Sequence, residues 1–168
     1  MSSNPASPLE TTLVVPSAQQ YQDYGTLSYL ASYCKLHQRY SPALLRSLFL
    51  PAVTHNCVRF FANDEGATAA ALIWARLSDD VTEAMIFDSK PPTLDNWASG
   101  ENLWFLDLIA PFGHGQQIAR HLARNPPDGP FHFARLSANG KIRKVISGDA
   151  SKAQGNRVKV FKILENAA

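Results

Sequence analysis

Trp104-Phe105-Leu106-Asp107-Leu108-Ile109-Ala110-Pro111-Phe112-Gly113 is an apolar run with a single carboxylate in its middle. Bulky side chains bounded by Gly100 on one side and Pro111-Phe112-Gly113 on the other predict a strand over Leu103–Ala110. Asp107 is the anomaly. A bare charge inside such a strand costs several kcal/mol or is lost to protonation, so the carboxylate must meet water, backbone amides or a partner side chain.

Outward from this strand, the pattern predicts a hairpin before it and another after it. The first joins Cys57–Ala62 to Ala67–Leu77 across Asn63-Asp64-Glu65-Gly66, and the second joins Phe131–Ser137 to Lys141–Ser147 across the turn pair Asn139-Gly140. Ser78-Asp79-Asp80 leads into a helix through Val81–Phe87, followed by a loop from Asp88 to Gly100. Gly115–Asn125 reads as a helix with Ile118 and Leu122 inward. Two helices open the chain. Ser17 with Gln20 forms a capping box before Tyr21, Tyr24, Leu27, Leu30, Ala31 and Cys34, which share one face. Ser41-Pro42 starts the next helix, with Leu44, Leu45, Leu48 and Phe49, and Pro51 marks its end or a kink. The expected fold is a single α/β domain, a mixed and mostly antiparallel sheet flanked by helices. Residues 1–16, rich in Ser, Pro and Thr, are expected to be disordered, 17–150 to form the domain, and 151–168 to be a basic tail that fits neither helix nor strand period.

The 168 residues suit one core. Two cysteines without metal-ligand spacing exclude a disulfide scaffold and a zinc ribbon, and fit a reducing, cytoplasmic compartment. Met1–Pro8 lack a basic region leading into an apolar core, so no signal peptide is expected, and no apolar run is long enough for a membrane span. The net charge of +2 hides an asymmetry: from Arg120 onward there are ten Lys or Arg against three acids (Asp128, Asp149, Glu165). Such a basic pole is either a solvated face or a site for an acidic or phosphate-bearing partner. No basic-aromatic signature of a nucleic-acid reader accompanies it.

Of the five histidines, His37, His55, His114, His121 and His132, none forms a zinc-helix pair with a glutamate between. His37 sits in a turn between two helices, from which a side chain can project over a sheet. Gly113-His114-Gly115 follows a strand and opens a helix, where backbone amides can cradle a phosphate or an oxyanion, or simply make a tight turn. The turn resembles the acyl-coenzyme A loop of GNAT-type acetyltransferases, but Ala110 stands where that loop carries Arg or Gln.

A wider likeness runs from about Gly25 to Gly148. Leu36-His37, Leu50-Pro51-Ala52, Trp74-Ala75-Arg76-Leu77-Ser78, Asn96-Trp97-Ala98-Ser99-Gly100 and Leu103 to Gly113 stand in the order and spacing of the toxin-activating lysine acyltransferases that mature RTX toxins. The resemblance implies a GNAT-like fold, often a homodimer. It implies transfer of a fatty acyl group from acyl carrier protein to an internal lysine of a protoxin, in the cytosol. The catalytic pair then maps onto His37 and Asp107, with Cys34 and Gly113 in supporting positions. Two positions depart from that pattern: Cys34 stands where the family has Ser, and Leu48 where it has Asn. No metal and no bound cofactor are expected; acyl-loaded carrier protein is a co-substrate. Lys141, Arg143 and Lys144 of the basic pole are the candidate contacts for that acidic donor.

The chemistry of the residues agrees with the pairing. A free lysine at neutral pH is an unprotonated nucleophile on the order of one time in a thousand, a deficit of roughly 4 kcal/mol. A histidine can take the proton during attack on a thioester, and a carboxylate on the far ring nitrogen holds the tautomer and steadies the imidazolium. Alternatively His37 attacks first and forms an acyl-imidazole. Two other functions remain open to the sequence: a coenzyme A-dependent acetyltransferase using the Gly113–Gly115 turn, and a non-catalytic binding protein on the same scaffold.

Overall fold

A computed structural model describes residues 15–149, 151–152 and 158–162, the last segment as backbone only. Residues 1–14 of the segment expected to be disordered, and most of the 151–168 tail, lie outside the described residues.

The helices begin where their caps predict. The Ser17 hydroxyl accepts from the Gln20 amide, and the Gln20 side chain accepts from Ser17 N–H at 2.8 Å, opening α1 (Ala18–Tyr33). Ser41 caps α2 (Pro42–Thr54) by accepting from the Leu44 amide at 3.1 Å. α3 (Asp79–Phe87) and α4 (Gly115–Arg124) follow later in the chain. Two details differ from expectation. Tyr21 is 61% exposed, so the buried stripe of α1 is Leu27, Leu30 and Ala31, with Tyr24 packed beside it; the first turn carries its ring into water, which the polar tip of tyrosine tolerates. Pro51 does not end α2 but lies buried within its last turn, and its own carbonyl still accepts from His55 N–H at 3.0 Å. Near a helix terminus, proline forfeits one donor and does not break a long ladder.

Among the described residues, six strands form one sheet in sequence order: β1 (Val58–Ala62), β2 (Thr68–Leu77), β3 (Asn102–Ile109), β4 (Pro130–Leu136), β5 (Ile142–Asp149) and β6 (Val158–Lys162). All neighbours are antiparallel except β3 and β4, which run parallel. This is the expected mixed sheet flanked by helices, a GNAT-like α/β fold. The β4–β5 hairpin is not the two-residue mirror-image turn that Asn139-Gly140 predicts. Only Gly140 takes a positive φ (+81°), and Ser137 N–H bonds Lys141 C=O at 2.9 Å around three loop residues. β6 carries lysines at Lys159 and Lys162 and, among the described residues, pairs with β5 alone, a composition suited to an edge.

The sheet buries both faces unequally. Ala71, Ile73, Ala75 and Leu77 of β2 with Trp104, Leu106 and Ile109 of β3 pack under Leu27 and Leu30 of α1 and Phe49, Ala52 and Val53 of α2. Leu72, Leu103 and Phe105 form a smaller cluster on the other face with Phe131, Phe133 and Leu122 of α4. The parallel β3–β4 register holds only for Leu103, Trp104 and Phe105. Beyond Phe105 the register pairs β3 with β2 alone, and that second half of β3 carries Asp107.

Candidate active site

α1 ends at Tyr33, and Cys34 leaves the helix in extended conformation while its N–H still bonds Ala31 C=O at 3.1 Å. The chain then closes one 3₁₀ turn at His37–Arg39, with Gln38 N–H on Cys34 C=O at 2.9 Å and Tyr40 N–H on His37 C=O at 3.0 Å. A tight turn of this kind brings residues three apart onto one side. The result is Cys34 Sγ 2.9 Å from His37 Nδ1. His37 is 1% exposed, and Tyr40, 6% exposed, lies with its ring 5.1 Å from the imidazole.

Asp107 reaches the same ring from the sheet. Its Oδ2 lies 2.8 Å from His37 Nε2, across 70 positions of sequence. A β-bulge makes this possible. The β2–β3 register pairs Ile73 with Asp107 but Trp74 with Phe105, so Leu106 is an extra residue on β3. Strict alternation from Trp104 and Leu106 would turn Asp107 away from the helices. The bulge places Leu106 and Asp107 on the helix side together, as an inserted residue does when it re-aims a side chain. Leu106 then enters the core and Asp107 meets His37.

These contacts set the charges. Burial opposes protonation of His37, but the hydrogen bond and charge of Asp107, reinforced by Cys34, raise it to about 9. Burial lifts the Cys34 thiol, yet the hydrogen bonds and charge of His37 bring it below its ordinary value. Tyr40 is pushed up to about 12, by burial first and then by the Asp107 charge. With the carboxylate accepting from Nε2–H, Nδ1 is the nitrogen that exchanges a proton with a neighbour, and its neighbour is Cys34. The string carboxylate, imidazole, thiol can accept a proton at its outer end and hold the resulting imidazolium.

Gly113 owes its identity to backbone, since it takes φ +88° with nothing near its Cβ position. It turns β3 into α4, where His114 occupies the cap position without a side-chain cap bond. Phe112 of this turn is 48% exposed and its ring stands 5.8 Å from Tyr33, itself 5.0 Å from Tyr29. An exposed aromatic row thus joins the residue next to Cys34 to the turn that follows Asp107. Lys141 and Arg143 are exposed and Lys144 half-buried at the tip of the β4–β5 hairpin, outside the hydrogen-bonded string. The tip leans on α2: a Cβ on Gly140 would come within 2.9 Å of Leu44. Lys144 lies opposite Arg135, and the β6 position facing it is Lys162. Leu48 does not support the pair. It is 4% exposed and lines a narrow apolar cleft with Leu44, Met85, Trp97 and Leu106.

The other histidines stand elsewhere. His55 Nε2 bonds Leu94 C=O at 2.9 Å, and His132 Nδ1 lies 2.6 Å from the Ser147 hydroxyl and stacks on Trp104. His114 and His121 line a hollow beside Phe61 and Ile118. Sequence reasoning missed Tyr40 and the bulge; the only signal for Tyr40 is its place three residues after His37, on the same tight turn.

Comparison with known proteins identifies the lineage. The sequence model of the RTX toxin acyltransferase family matches residues 17–162. A leukotoxin-activating lysine-acyltransferase of Aggregatibacter actinomycetemcomitans is 30% identical over 141 residues, covering 82% of this chain and 83% of that protein. A protein-lysine myristoyltransferase of Kingella kingae is 31% identical over 153 residues, 88% of this chain and 91% of its own length. One of Escherichia coli is 28% identical over 141 residues, 82% and 81%. The chain belongs to the RTX toxin acyltransferase family, the toxin-activating lysine acyltransferases.

Proposed function

We propose that this protein takes a long-chain acyl group from acyl carrier protein and places it on the side-chain amine of an internal lysine in an RTX-type protoxin, in the cytosol and as a homodimer. The observation that carries the reading is the 2.8 Å bond between His37 Nε2 and Asp107 Oδ2 in a chain of this family. In this reading Asp107 holds Nε2–H, and Nδ1 takes the proton that the lysine must lose as it attacks the thioester. Placing such a base is worth about a hundredfold to ten-thousandfold in rate.

Two relatives bear the name of protein-lysine myristoyltransferases, which makes a myristoyl chain the first donor to offer. A carrier protein is strongly acidic, and the Lys141, Arg143 and Lys144 tip beside α2 supplies complementary charge. Arg135 directly opposite Lys144 strengthens this argument, because like charges across a ladder are unfavourable unless something neutralises them. The test offers myristoyl-loaded acyl carrier protein or myristoyl-coenzyme A, with an RTX-type protoxin as acceptor. Mass spectrometry should find the acyl group on a protoxin lysine with the carrier-protein donor and little or none with coenzyme A. Transfer from coenzyme A alone would select the acetyltransferase-like reading.

A further inference from the structure

We propose that Cys34 is the acyl-accepting nucleophile of this protein: the acyl group rests on Cys34 Sγ as a thioester before it reaches lysine. The inference rests on the acyltransferase reading and assigns the residue that receives the donor's acyl group.

Three observations support it. His37 is 1% exposed and both its ring nitrogens are engaged, Nε2 by Asp107 and Nδ1 by Cys34. In this resting arrangement neither a donor carbonyl nor a protein lysine meets Nδ1 while the Cys34 thiol holds it, and an acyl-imidazole would need that thiol displaced. Cys34 is half-buried where His37 is enclosed, and it is the nucleophilic end of the string, opposite the carboxylate. Apolar side chains stand nearby: Tyr33 precedes it and Leu36 follows two positions later, past the exposed Lys35, at 54% and 44% exposure, and the Phe112 ring packs against Tyr33.

The protein's second thiol serves as an internal reference. Cys57 is 3% exposed and bonds only the His55 carbonyl, and burial pushes it up to about 11. Burial alone therefore suppresses a thiolate here. Cys34 differs by the imidazole 2.9 Å away, which brings it down, and by its access to the surface. A histidine held protonated to about 9 is mostly charged at neutral pH, which suits a thiolate–imidazolium pair better than a free base waiting for an amine.

The two steps balance. The Cys34 thiolate attacks the donor thioester carbonyl, the new S–C bond forms, and the bond to the pantetheine sulfur breaks. The leaving sulfur takes the proton from His37 Nδ1 and departs as a thiol, leaving the imidazole neutral with Nε2–H on Asp107. The acylated sulfur no longer has a proton to give, so Nδ1 is free. A lysine that has shed one proton to water attacks the Cys34 thioester, an amide bond forms, the S–C bond breaks, and the second amine proton passes to Nδ1. Thiolate and imidazolium are restored.

The experiment uses the full chain with myristoyl-loaded acyl carrier protein and no acceptor, read by intact-mass spectrometry. One acyl unit should appear, map to Cys34, fall to neutral hydroxylamine, and chase onto lysine when the protoxin is added. Cys34→Ala should lose the adduct and slow lysine transfer on the order of a hundredfold or more. Cys34→Ser keeps a hydrogen bond to Nδ1; it should be slower than wild type by about tenfold or more, with an oxygen ester that resists neutral hydroxylamine. In parallel, iodoacetamide at pH 7 should alkylate Cys34 in the folded protein faster than in the urea-unfolded chain, and should spare Cys57. Lysine transfer at the wild-type rate by Cys34→Ala overturns the proposal and leaves the acyltransferase reading standing. So does alkylation of folded Cys34 no faster than when unfolded. A wild-type protein that charges neither Cys34 nor lysine from either donor overturns both.

Discussion

His37 and His132 both sit on the helix-covered side of the sheet, the first buried and the second half-buried, each beside an aromatic ring, Tyr40 in one case and Trp104 in the other. Their charges are set in opposite directions. Burial alone acts on His132, whose Nδ1 meets only the Ser147 hydroxyl, and its tendency to protonate falls below the ordinary value. His37 is buried more deeply, yet it is raised to about 9. Depth does not decide between them. The carboxylate does, and the carboxylate is there because β3 carries one extra residue at Leu106. A local irregularity in hydrogen-bond register thus determines whether a buried imidazole is held protonated or pushed toward the neutral form.

Removing the imidazole itself should have the largest effect. His37→Ala is expected to abolish lysine acylation, by on the order of a thousandfold or more, with mass spectrometry of the protoxin as readout. The position of His37 in a turn predicts from sequence that the change leaves the fold untouched; burial at 1% exposure says otherwise. The change leaves a cavity and an Asp107 with its partner gone, so the variant should lose about 3 kcal/mol in urea unfolding while remaining folded. Full acylation by a folded His37→Ala protein would remove the imidazole from the mechanism.

Next in size is the carboxylate. Asp107→Ala should convert His37 into a second His132, with its pKa falling from about 9 to below 6.5, as followed by NMR of the imidazole carbons. Acyl transfer should drop on the order of a hundredfold or more. Asp107→Asn should cut the rate yet leave some activity, because its amide can hold the ring in the wrong tautomer. An imidazole that still titrates near 9 without Asp107 would show that the comparison names the wrong cause.

The same pKa predicts how stability changes with pH. His37 is raised in the folded chain, so the stability it adds is fully present below its unfolded value near 6.5 and disappears as pH rises through about 9. Wild type should lose on the order of 2–3 kcal/mol across that window, with Cys34, Tyr40 and Asp107 as the titratable neighbours, and Asp107→Ala should flatten the loss. Denaturant unfolding at a series of pH values measures it. Equal slopes in the two proteins would count against the pair as the source.

How legible was this site? The caps at Ser17 and Ser41, both hairpins and the strand around Asp107 follow from local chemistry, and each stands where the residues place it within a position or two. The pairing of His37 with Asp107 came from resemblance, because no local rule links positions 70 apart. The bulge left no trace: apart from Asp107, Leu103 to Leu108 is apolar on both faces of the sheet, so there is no alternation for an extra residue to interrupt. Cys34 and Leu48 share the status of departures in the sequence and part in the structure. Cys34 joins the string and Leu48 joins the core, a distinction that tertiary contacts alone supply.

The hairpin tip offers a smaller effect. Reversing charge at Lys141, Arg143 and Lys144 should weaken carrier-protein engagement by about tenfold at low salt, with the gap closing as salt rises and with kcat for bound donor unchanged. Equal affinity of wild type and variant at low ionic strength would place the donor's docking surface elsewhere.

The smallest effect is the converse of the Asp107 change. Ser147 already meets His132 at 2.6 Å, so Ser147→Asp places a carboxylate where the structure has only a hydroxyl. If proximity of negative charge is what separates the two imidazoles, His132 should rise from below its ordinary value by about 1–3 units, followed by the same NMR titration. Lysine acylation should stay within about twofold of wild type, because His132 lies outside the string that holds Cys34. An unchanged His132 titration in a folded variant would mean that stacking on Trp104 outweighs a nearby carboxylate, and the raised state of His37 would then owe more to its closed turn and its sulfur neighbour than to Asp107.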